Sequence, residues 1–181
     1  MTPTRQEALQ LLEAWVQNEG LRNHMRHVES AVRFYARKYG ADEDEWGLAG
    51  LLHDLDWEKY PDEHPKRAVE ELRRLGYPDA ILQAILAHRA DFTGVPPTAQ
   101  LDKVLVACDE LTGLINATAL VRPQGFEDLA PKSVKKKMKD KAFAAGVSRE
   151  DVIEGAALLE IELDEHITNV ISAMKEGGAG T

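Results

Sequence analysis

The sequence predicts an all-α fold, built as a single-domain helical bundle, and three observations support this prediction. Apolar residues recur at helical spacing along almost the whole chain. No stretch of useful length alternates apolar and polar residues as a half-buried β-strand would. A length of 181 residues suits one domain with a sizeable core and is short for two. We expect this domain to span residues 1–176 and the glycine-rich end, 177–181, to be a flexible tail.

The N-terminal part of the chain predicts three helices. The first follows a Thr4 N-cap and carries an apolar stripe over 8–15. The second carries its stripe over 28–35, and the third begins at the acidic residues 42–44, which suit a helix N-terminus. The stretch 57–65 contains two prolines and is predicted to be a loop or a tight corner.

Five further helices are predicted by the same spacing. They are expected at about 66–75, 78–88, 98–122 and 131–145, with a last helix from Ser148 through Ile171. Gly76 follows the first of them, and Pro78 suits the first turn of the next. No internal repeat is visible in the sequence, so the helices are expected to form one unit.

Charge and composition limit the partners. Asp and Glu outnumber Lys and Arg by 31 to 22, for a net charge of −9, whereas duplex DNA and anionic membranes attract basic surfaces. We therefore expect a small-molecule partner, no nucleic acid polymer and no membrane. Cys108 is the single cysteine, so no internal disulfide can form, and the N-terminus has no apolar signal core. A cytoplasmic location is expected, and the sequence is compatible with a homodimer.

Four histidines and two aspartates form the group that most strongly indicates chemistry. In chain order they are His27, the adjacent His53 and Asp54, His64, His88 and Asp109. Imidazole and carboxylate together suit Fe, Mn, Zn and other first-row divalent ions. Several of these residues lie beside or at the end of apolar runs, where a carboxylate is very costly without a cation or several hydrogen bonds. The pattern therefore predicts a metal site.

The order of these residues resembles the HD-domain metal-dependent phosphohydrolase superfamily, whose pattern is a His, a His-Asp doublet and a distal Asp on an all-helical core. The matching segments are Arg26-His27-Val28-Glu29-Ser30-Ala31, Gly50-Leu51-Leu52-His53-Asp54 and Ala107-Cys108-Asp109-Glu110-Leu111. The resemblance covers about residues 20–122, which leaves 123–176 as a C-terminal helical extension. His64 and His88 are similar to the further histidines of the branch that holds a dinuclear centre.

The resemblance implies one or two divalent transition metal ions, with Fe or Mn expected first and Zn, Ni, Co or Mg also compatible. The implied ligands are His27, His53 and Asp109 for a first metal, His64 and His88 for a second, and Asp54 as the bridge between them. A metal-held hydroxide would then attack the phosphorus of a small phosphoester, such as a nucleotide.

The sequence departs from the superfamily's patterns around the doublet. The common extension, His-Asp-Ile-Gly followed by Lys, is replaced here by Leu55-Asp56-Trp57 after the doublet, with Lys59 nearby. We expect Asp56 and Lys59, together with Asp54, to be candidates for catalytic roles such as general acid or positioning of a water. The GYP signature is absent after His88, so specificity for cyclic dinucleotides is not implied.

Two other histidines are expected to lie outside the site. His24 is one turn before His27, at a spacing that suits a ligand pair. The superfamily uses one histidine here, however, so a packing or surface role is expected for His24. His166 lies in an acidic run and is expected on a solvated helix face.

The segment 132–141 is the one strongly basic patch of the sequence, with six lysines and one aspartate. By helical spacing, one face of it carries Lys132, Lys135, Lys136 and Lys139. The patch suits equally an anion clamp that folds over the metal site and a solvated face paired with acidic neighbours. Arg89 and Arg122 are further candidates for binding a phosphate.

A metal-dependent phosphohydrolase is the function that the residues and the resemblance favour. Two alternatives stay open. Some proteins of the HD fold use a similar ligand set as a di-iron centre that activates dioxygen, and a non-catalytic nucleotide sensor would keep the metal only to hold its ligand. The ligands do not separate hydrolase from oxygenase, because both need histidine, carboxylate and an open coordination position.

Overall fold

The computed structural model describes residues 1–180, which form ten α-helices and no strand. In chain order the helices are α1 (Arg5–Trp15), α2 (Glu19–Tyr39), α3 (Glu43–Leu52), α4 (Lys66–Arg74), α5 (Asp79–Ala87), α6 (Ala90–Thr93), α7 (Gln100–Leu120), α8 (Pro131–Met138), α9 (Arg149–Leu158) and α10 (Leu163–Glu176). The prediction of an all-α fold is confirmed.

Local capping explains where the N-terminal helices begin and end. Before α1, the Thr4 hydroxyl accepts the Glu7 N–H at 3.2 Å and the Glu7 carboxylate accepts the Thr4 N–H at 2.7 Å, which closes a capping box. The Asn18 side chain caps α2, and the Asp42 carboxylate caps α3. Helix α2 ends where Gly40 adopts a left-handed conformation with φ of 66°.

The C-terminal helices are shorter than the spacing predicts. The basic helix α8 already ends at Met138, and the last predicted helix is divided into α9 and α10. Glu160 lies at this division with φ of 56°, a left-handed conformation that a right-handed helix cannot contain. The Arg149 guanidinium donates to the Ala144 and Val147 carbonyls at 2.6 and 3.0 Å, so it holds the turn after α8 against the start of α9.

Helices α2 and α7 form the centre of the bundle. Helix α2 packs against α3, α7 and α10, and α7 packs in addition against α5, α8 and α9. Their buried side chains, Val28 and Leu105 among them, belong to one hydrophobic core. Full burial of an aliphatic side chain of this size contributes about 1.5–3 kcal/mol. The two long helices therefore provide a rigid frame for the polar residues that they carry.

A buried polar network joins α10 to this centre. His166 is fully buried, so the expectation of a solvated position for it is wrong. Its Nε2–H donates to the Ala107 carbonyl at 2.8 Å, and its Nδ1 accepts the Tyr35 hydroxyl at 2.6 Å. Burial lowers the pKa of His166, which favours the neutral imidazole that these two bonds require. A histidine can be buried here because both of its ring nitrogens are satisfied.

Two glycines allow helices to approach closely. A Cβ on Gly50 of α3 would lie 2.9 Å from the Cα of Glu29 on α2. A Cβ on Gly155 of α9 would lie 2.7 Å from the Cα of Ala107 on α7. Real Cβ atoms do not come this close to another backbone, so both helix contacts depend on the missing side chain.

The chain continues past α10 as a turn. Residues 177–180 form this turn, and the Ala179 N–H in it donates to the carbonyl of Met174 on α10 at 2.9 Å. Thr181, the end of the expected tail, lies outside the described residues. None of the helices in residues 1–180 is both long and apolar enough to cross a membrane.

We expect Gly155→Ala to lower the free energy of unfolding by about 1–3 kcal/mol, because the added methyl group would push α9 away from α7. Gly113→Ala is the matched control, since a Cβ on this helical glycine would meet its nearest neighbour, in Val147, at an ordinary 3.7 Å. The control should be neutral or more stable by up to about 1 kcal/mol. Chemical denaturation measures both variants, and wild-type stability in Gly155→Ala would contradict the close contact.

Candidate metal centre

The histidines and aspartates of the site come from separate parts of the chain. They are His24 on α2, His53 at the C-terminal end of α3, Asp54 in the turn after it, His64 in the turn before α4, His88 at the C-terminal end of α5 and Asp109 on α7. Tertiary packing therefore builds the site, since only His53 and Asp54 are neighbours in sequence.

Four of these side chains form a first group, in which one ring nitrogen or carboxylate oxygen from each residue lies within 4.8 Å of the others. Asp109 Oδ1 lies 2.9 Å from His24 Nε2 and 3.2 Å from His53 Nε2. Asp54 Oδ2 lies 3.2 Å from His53 Nε2 and 3.7 Å from His24 Nε2. Two imidazoles and two carboxylates thus converge on one point.

Asp54 also belongs to a second group. Its Oδ1 lies 3.3 Å from His64 Nε2 and 3.5 Å from His88 Nε2. The two imidazole nitrogens are 3.2 Å apart. Each group is therefore faced by one carboxylate oxygen of Asp54, and this is how a carboxylate that bridges two metal ions is placed.

The spacing of these atoms fits divalent metal ions. A bond of about 2.1 Å to the metal puts neighbouring ligand atoms about 3.0 Å apart in octahedral and about 3.4 Å apart in tetrahedral coordination. The closest nitrogen–oxygen distances between the histidines and aspartates of the two groups are 2.9 to 3.7 Å. The donor set of imidazole and carboxylate, with no thiolate, suits first-row divalent ions.

Hydrogen bonds at Nδ1 fix three of the imidazole rings. His53 Nδ1 lies 2.7 Å from the Gly50 carbonyl, and His88 Nδ1 is bonded to the Ile85 carbonyl. A carbonyl only accepts, so in both rings Nδ1 carries a proton, and in the neutral form of each ring Nε2 presents a lone pair to the cluster. His64 Nδ1 is held in the same way by an Asp56 carboxylate oxygen at 2.7 Å. Metal-binding histidines are typically oriented by such bonds.

Buried charge favours a cation in the cluster. Burial alone would raise the pKa of Asp54, but His53 and His88 hold it well below its usual range. Burial likewise opposes ionisation of Asp109, and His53 and His24 outweigh it, so that its pKa is also lowered. Both carboxylates in turn raise the pKa of His53 against the effect of its burial. A divalent ion would replace the imidazole protons as the counter-charge.

His27 does not belong to either group, so the expectation that it is the α2 ligand is corrected in favour of His24. Burial, with the charges of His24 and Arg26, lowers the pKa of His27 to about 4. The apolar stripe of α2 consists of Val28, Ala31, Val32 and Tyr35. At ~100° per residue, His24 projects about 30° from the centre of this stripe and His27 about 90° from it. Helical projection of the sequence therefore already favours His24.

The two other residues expected in catalysis take different positions. Asp56 is fully buried, and its second oxygen accepts the Ala68 N–H at 2.8 Å. It therefore touches His64 and a backbone amide, which makes it a positioning residue. Lys59 does not line the cavity at the cluster, and its Nζ lies 4.8 Å from the ring centroid of Trp15.

Among the residues expected to bind phosphate, the structure brings only Arg89 to the site. Its guanidinium lies on the wall of the cavity at the cluster and pairs with Asp91 at 3.0 and 3.1 Å. Arg122 pairs instead with Asp128 at 2.7 Å. None of the four lysines, Lys132, Lys135, Lys136 and Lys139, lines this cavity.

The lysines of the basic helix α8 lie away from the wall of the cavity at the cluster. Lys135 Nζ lies 3.0 Å from an Asp164 carboxylate oxygen on α10. This contact agrees with the alternative interpretation, a solvated face paired with acidic neighbours.

A cavity of about 330 Å³ opens onto the cluster. Its wall includes Trp57, Glu110 and Val147, which the sequence analysis did not assign to the site. Glu110 accepts the Ser148 N–H at 3.0 Å, and burial beside Asp109 raises the pKa of Glu110 to about 7. Glu110 and Trp57 are sequence neighbours of site residues, whereas Val147 has no signal in the sequence because it comes from the turn before α9.

The fold and the cluster define a class, namely all-helical proteins that hold divalent metal ions between histidine and aspartate side chains. The family model of the HD domain matches residues 21–114, which is more than half of the chain. The protein belongs to the HD domain family, whose members are mostly metal-dependent phosphohydrolases. This confirms the resemblance found in the sequence. Searches of curated proteins and of solved structures gave no significant match.

His24→Gln is expected to weaken Mn²⁺ binding by more than about tenfold, because it removes one imidazole from the first group. His27→Gln makes the same chemical change one turn away, and its Kd should stay within about twofold of wild type. Isothermal titration calorimetry on metal-free protein measures both. Weaker binding by His27→Gln but not by His24→Gln would contradict the assignment.

Asp56→Asn is expected to weaken metal binding by about 10–100-fold, because the amide holds the His64 ring less firmly than the carboxylate does. The fold should survive, since an asparagine oxygen can still accept the Ala68 N–H. Metal affinity and thermal unfolding are measured on the same sample. Unchanged affinity in a folded variant would show that Asp56 does not position His64.

Proposed function

We propose that the protein is a metal-dependent phosphohydrolase that cleaves a small phosphoester. The observation that carries this proposal is the placement of Asp54, with one carboxylate oxygen toward each histidine group in a cavity open to small molecules. Two-metal sites of this kind are common in enzymes that displace a leaving group from phosphorus.

The ligands divide into two sets in this proposal. His24, His53 and Asp109 would hold one ion, His64 and His88 would hold a second, and Asp54 would contact both. Mn²⁺ and Fe²⁺ are the ions we expect first, because they accept mixed imidazole and carboxylate ligands. Bound divalent ions lower the pKa of water into the working range and neutralise charge on phosphoryl oxygens.

The protein's own side chains bind and orient the ester. The Asp91 carboxylate accepts the Nε–H and one Nη2–H of Arg89 and holds this residue at the wall of the cavity. The Nη1–H groups and the second Nη2–H of Arg89 are then the donors for two oxygens of a phosphate. Trp57 packs edge-on against His64, with ring centroids 5.2 Å apart, and forms part of the cavity wall. A cavity of about 330 Å³ with one arginine suits a small ester and not a polymer.

Phosphate release tests the proposal. Protein reloaded with Mn²⁺ or Fe²⁺ under anaerobic conditions is offered a panel of phosphomonoesters and phosphodiesters that includes nucleotides. We expect turnover of at least one compound, reduced by more than about a thousandfold in Asp54→Asn. Asp62→Asn, an exposed carboxylate in the turn that follows α3, is the control and should keep wild-type activity.

The other outcomes of the phosphate-release assay contradict the proposal or support one of the two alternatives. Equal turnover in Asp54→Asn and wild type would contradict the role of the cluster. Absence of phosphate release with either metal would overturn the hydrolase. Oxygen consumption by the Fe²⁺ protein would then support a di-iron oxygenase, and nucleotide binding without turnover would support a sensor.

A further inference from the structure

A second and larger cleft adjoins the metal centre. It has a volume of about 820 Å³ and shares four wall residues with the cavity at the cluster: His88, Arg89, Asp109 and Glu110. Small-molecule sites commonly have volumes of about 300–1,000 Å³. When the phosphate of a substrate lies at the cluster, the rest of that substrate can extend into this cleft.

One wall of the cleft is the acidic face of α9. Asp151, Glu154 and Leu158 follow one another at helical spacing and line the cleft together. Within residues 1–180, the carboxylates of Asp151 and Glu154 have no hydrogen-bond or ion-pair partner, although most acidic residues that flank the cluster do. Two free carboxylates thus face a cleft that opens onto the metal centre.

The position of this face is fixed relative to the cluster. Gly155 lies between the two acidic residues and Leu158 on α9, and its missing side chain lets the helix contact the backbone of α7 at Ala107. Ala107 is two residues from Asp109, so the same segment of α7 supports the acidic wall and a proposed metal ligand.

The charges of the cleft select the ligand chemistry. Arg89 is its one Lys or Arg wall residue and lies at the border with the cluster, where it pairs with Asp91, which also lines the cleft. Away from that border, Asp151 and Glu154 create a negative potential that attracts cations and repels further phosphate groups. The cleft and the cluster together therefore complement a molecule with an anionic end and a cationic end.

We propose that the substrate is a phosphoester whose alcohol portion carries a primary or substituted amine. Its phosphate binds at the cluster and Arg89, and its ammonium group lies in the cleft beside Asp151 and Glu154. This inference rests on the proposed phosphohydrolase function and adds the substrate class, and it disfavours nucleoside diphosphates and triphosphates.

Two esters of equal length test the charge preference directly. 3-Aminopropyl phosphate carries the ammonium group, and butyl phosphate replaces it with a methyl group. We expect wild-type Mn²⁺ protein to prefer the amine by about fivefold or more in kcat/KM at low ionic strength, because two exposed carboxylates each contribute a modest attraction. The preference should shrink as salt is added, since exposed charges are screened.

The variants identify the residues responsible. In the double variant Asp151→Asn, Glu154→Gln the ratio of the two kcat/KM values should fall to about one. Glu150→Gln is the matched control, because Glu150 is an exposed acidic residue of the same helix that does not line the cleft. It removes one carboxylate charge from the same helix and should keep the wild-type ratio. Calorimetric binding of both esters is measured on every protein.

The outcomes separate this inference from the proposed function. Hydrolysis of both esters with equal kcat/KM, or a preference that survives in the double variant, would overturn the inference and leave the phosphohydrolase intact. Absence of hydrolysis with either ester, when another phosphoester is cleaved, would also overturn it. If no phosphoester is cleaved, the proposed function fails, and equal binding of the two esters by calorimetry would overturn the charge preference as well.

Discussion

The site depends on how one largely buried carboxylate, Asp54, is compensated. Its oxygens face different imidazoles, with Oδ2 3.2 Å from His53 Nε2 and Oδ1 3.3 Å from His64 Nε2. Removing such a charge from water costs several kcal/mol unless positive charge and hydrogen bonds surround it. Asp109 adds a second carboxylate at the same point, and this group of histidines and aspartates could hold a metal cation. The bundle therefore has to bring α2, α5, α7, the end of α3 and the segment between α3 and α4 to one place.

The C-terminal ends of two helices orient the imidazole rings of His53 and His88. The last carbonyls of an α-helix have no partner within the helix. His53 and His88 each directly follow a helix, and each bonds through Nδ1 to the carbonyl three residues earlier, Gly50 and Ile85 respectively. A carbonyl that needs a donor thus fixes the tautomer of the ring that leaves Nε2 free for the metal. The same short segment supplies the ligand and its orientation.

The sequence predicts those parts of the structure that depend on local pattern. Helical spacing predicts the all-α fold, and the order of histidines and aspartates predicts five of the six clustered residues. The residue order does not identify His24, because the family pattern is matched to His27. Helical projection of α2 favours His24 instead. The cavity wall at Val147 depends on the contacts of Arg149 with the turn before α9, which periodicity does not record. Periodicity likewise does not record the left-handed conformation of Glu160, where the last predicted helix is divided. The ion pair of Lys135 on α8 with Asp164 on α10 likewise depends on the packing of two helices that are distant in sequence.

The departure from the common extension of the doublet has a structural reason. The position where glycine is usual holds Asp56, whose two oxygens accept the His64 Nδ1–H and the Ala68 N–H. Ala68 lies in the first turn of α4, where backbone N–H groups lack helical partners, and Pro65 before it provides no side-chain cap. The Asp56 carboxylate therefore accepts a free N–H group in the first turn of α4 and also orients the His64 ring of the second group. This explains how His64 can be only 3% exposed although it lies in a turn. A glycine at this position would leave both donors without a partner. The aspartate at position 56 therefore links the second group to the packing of α4.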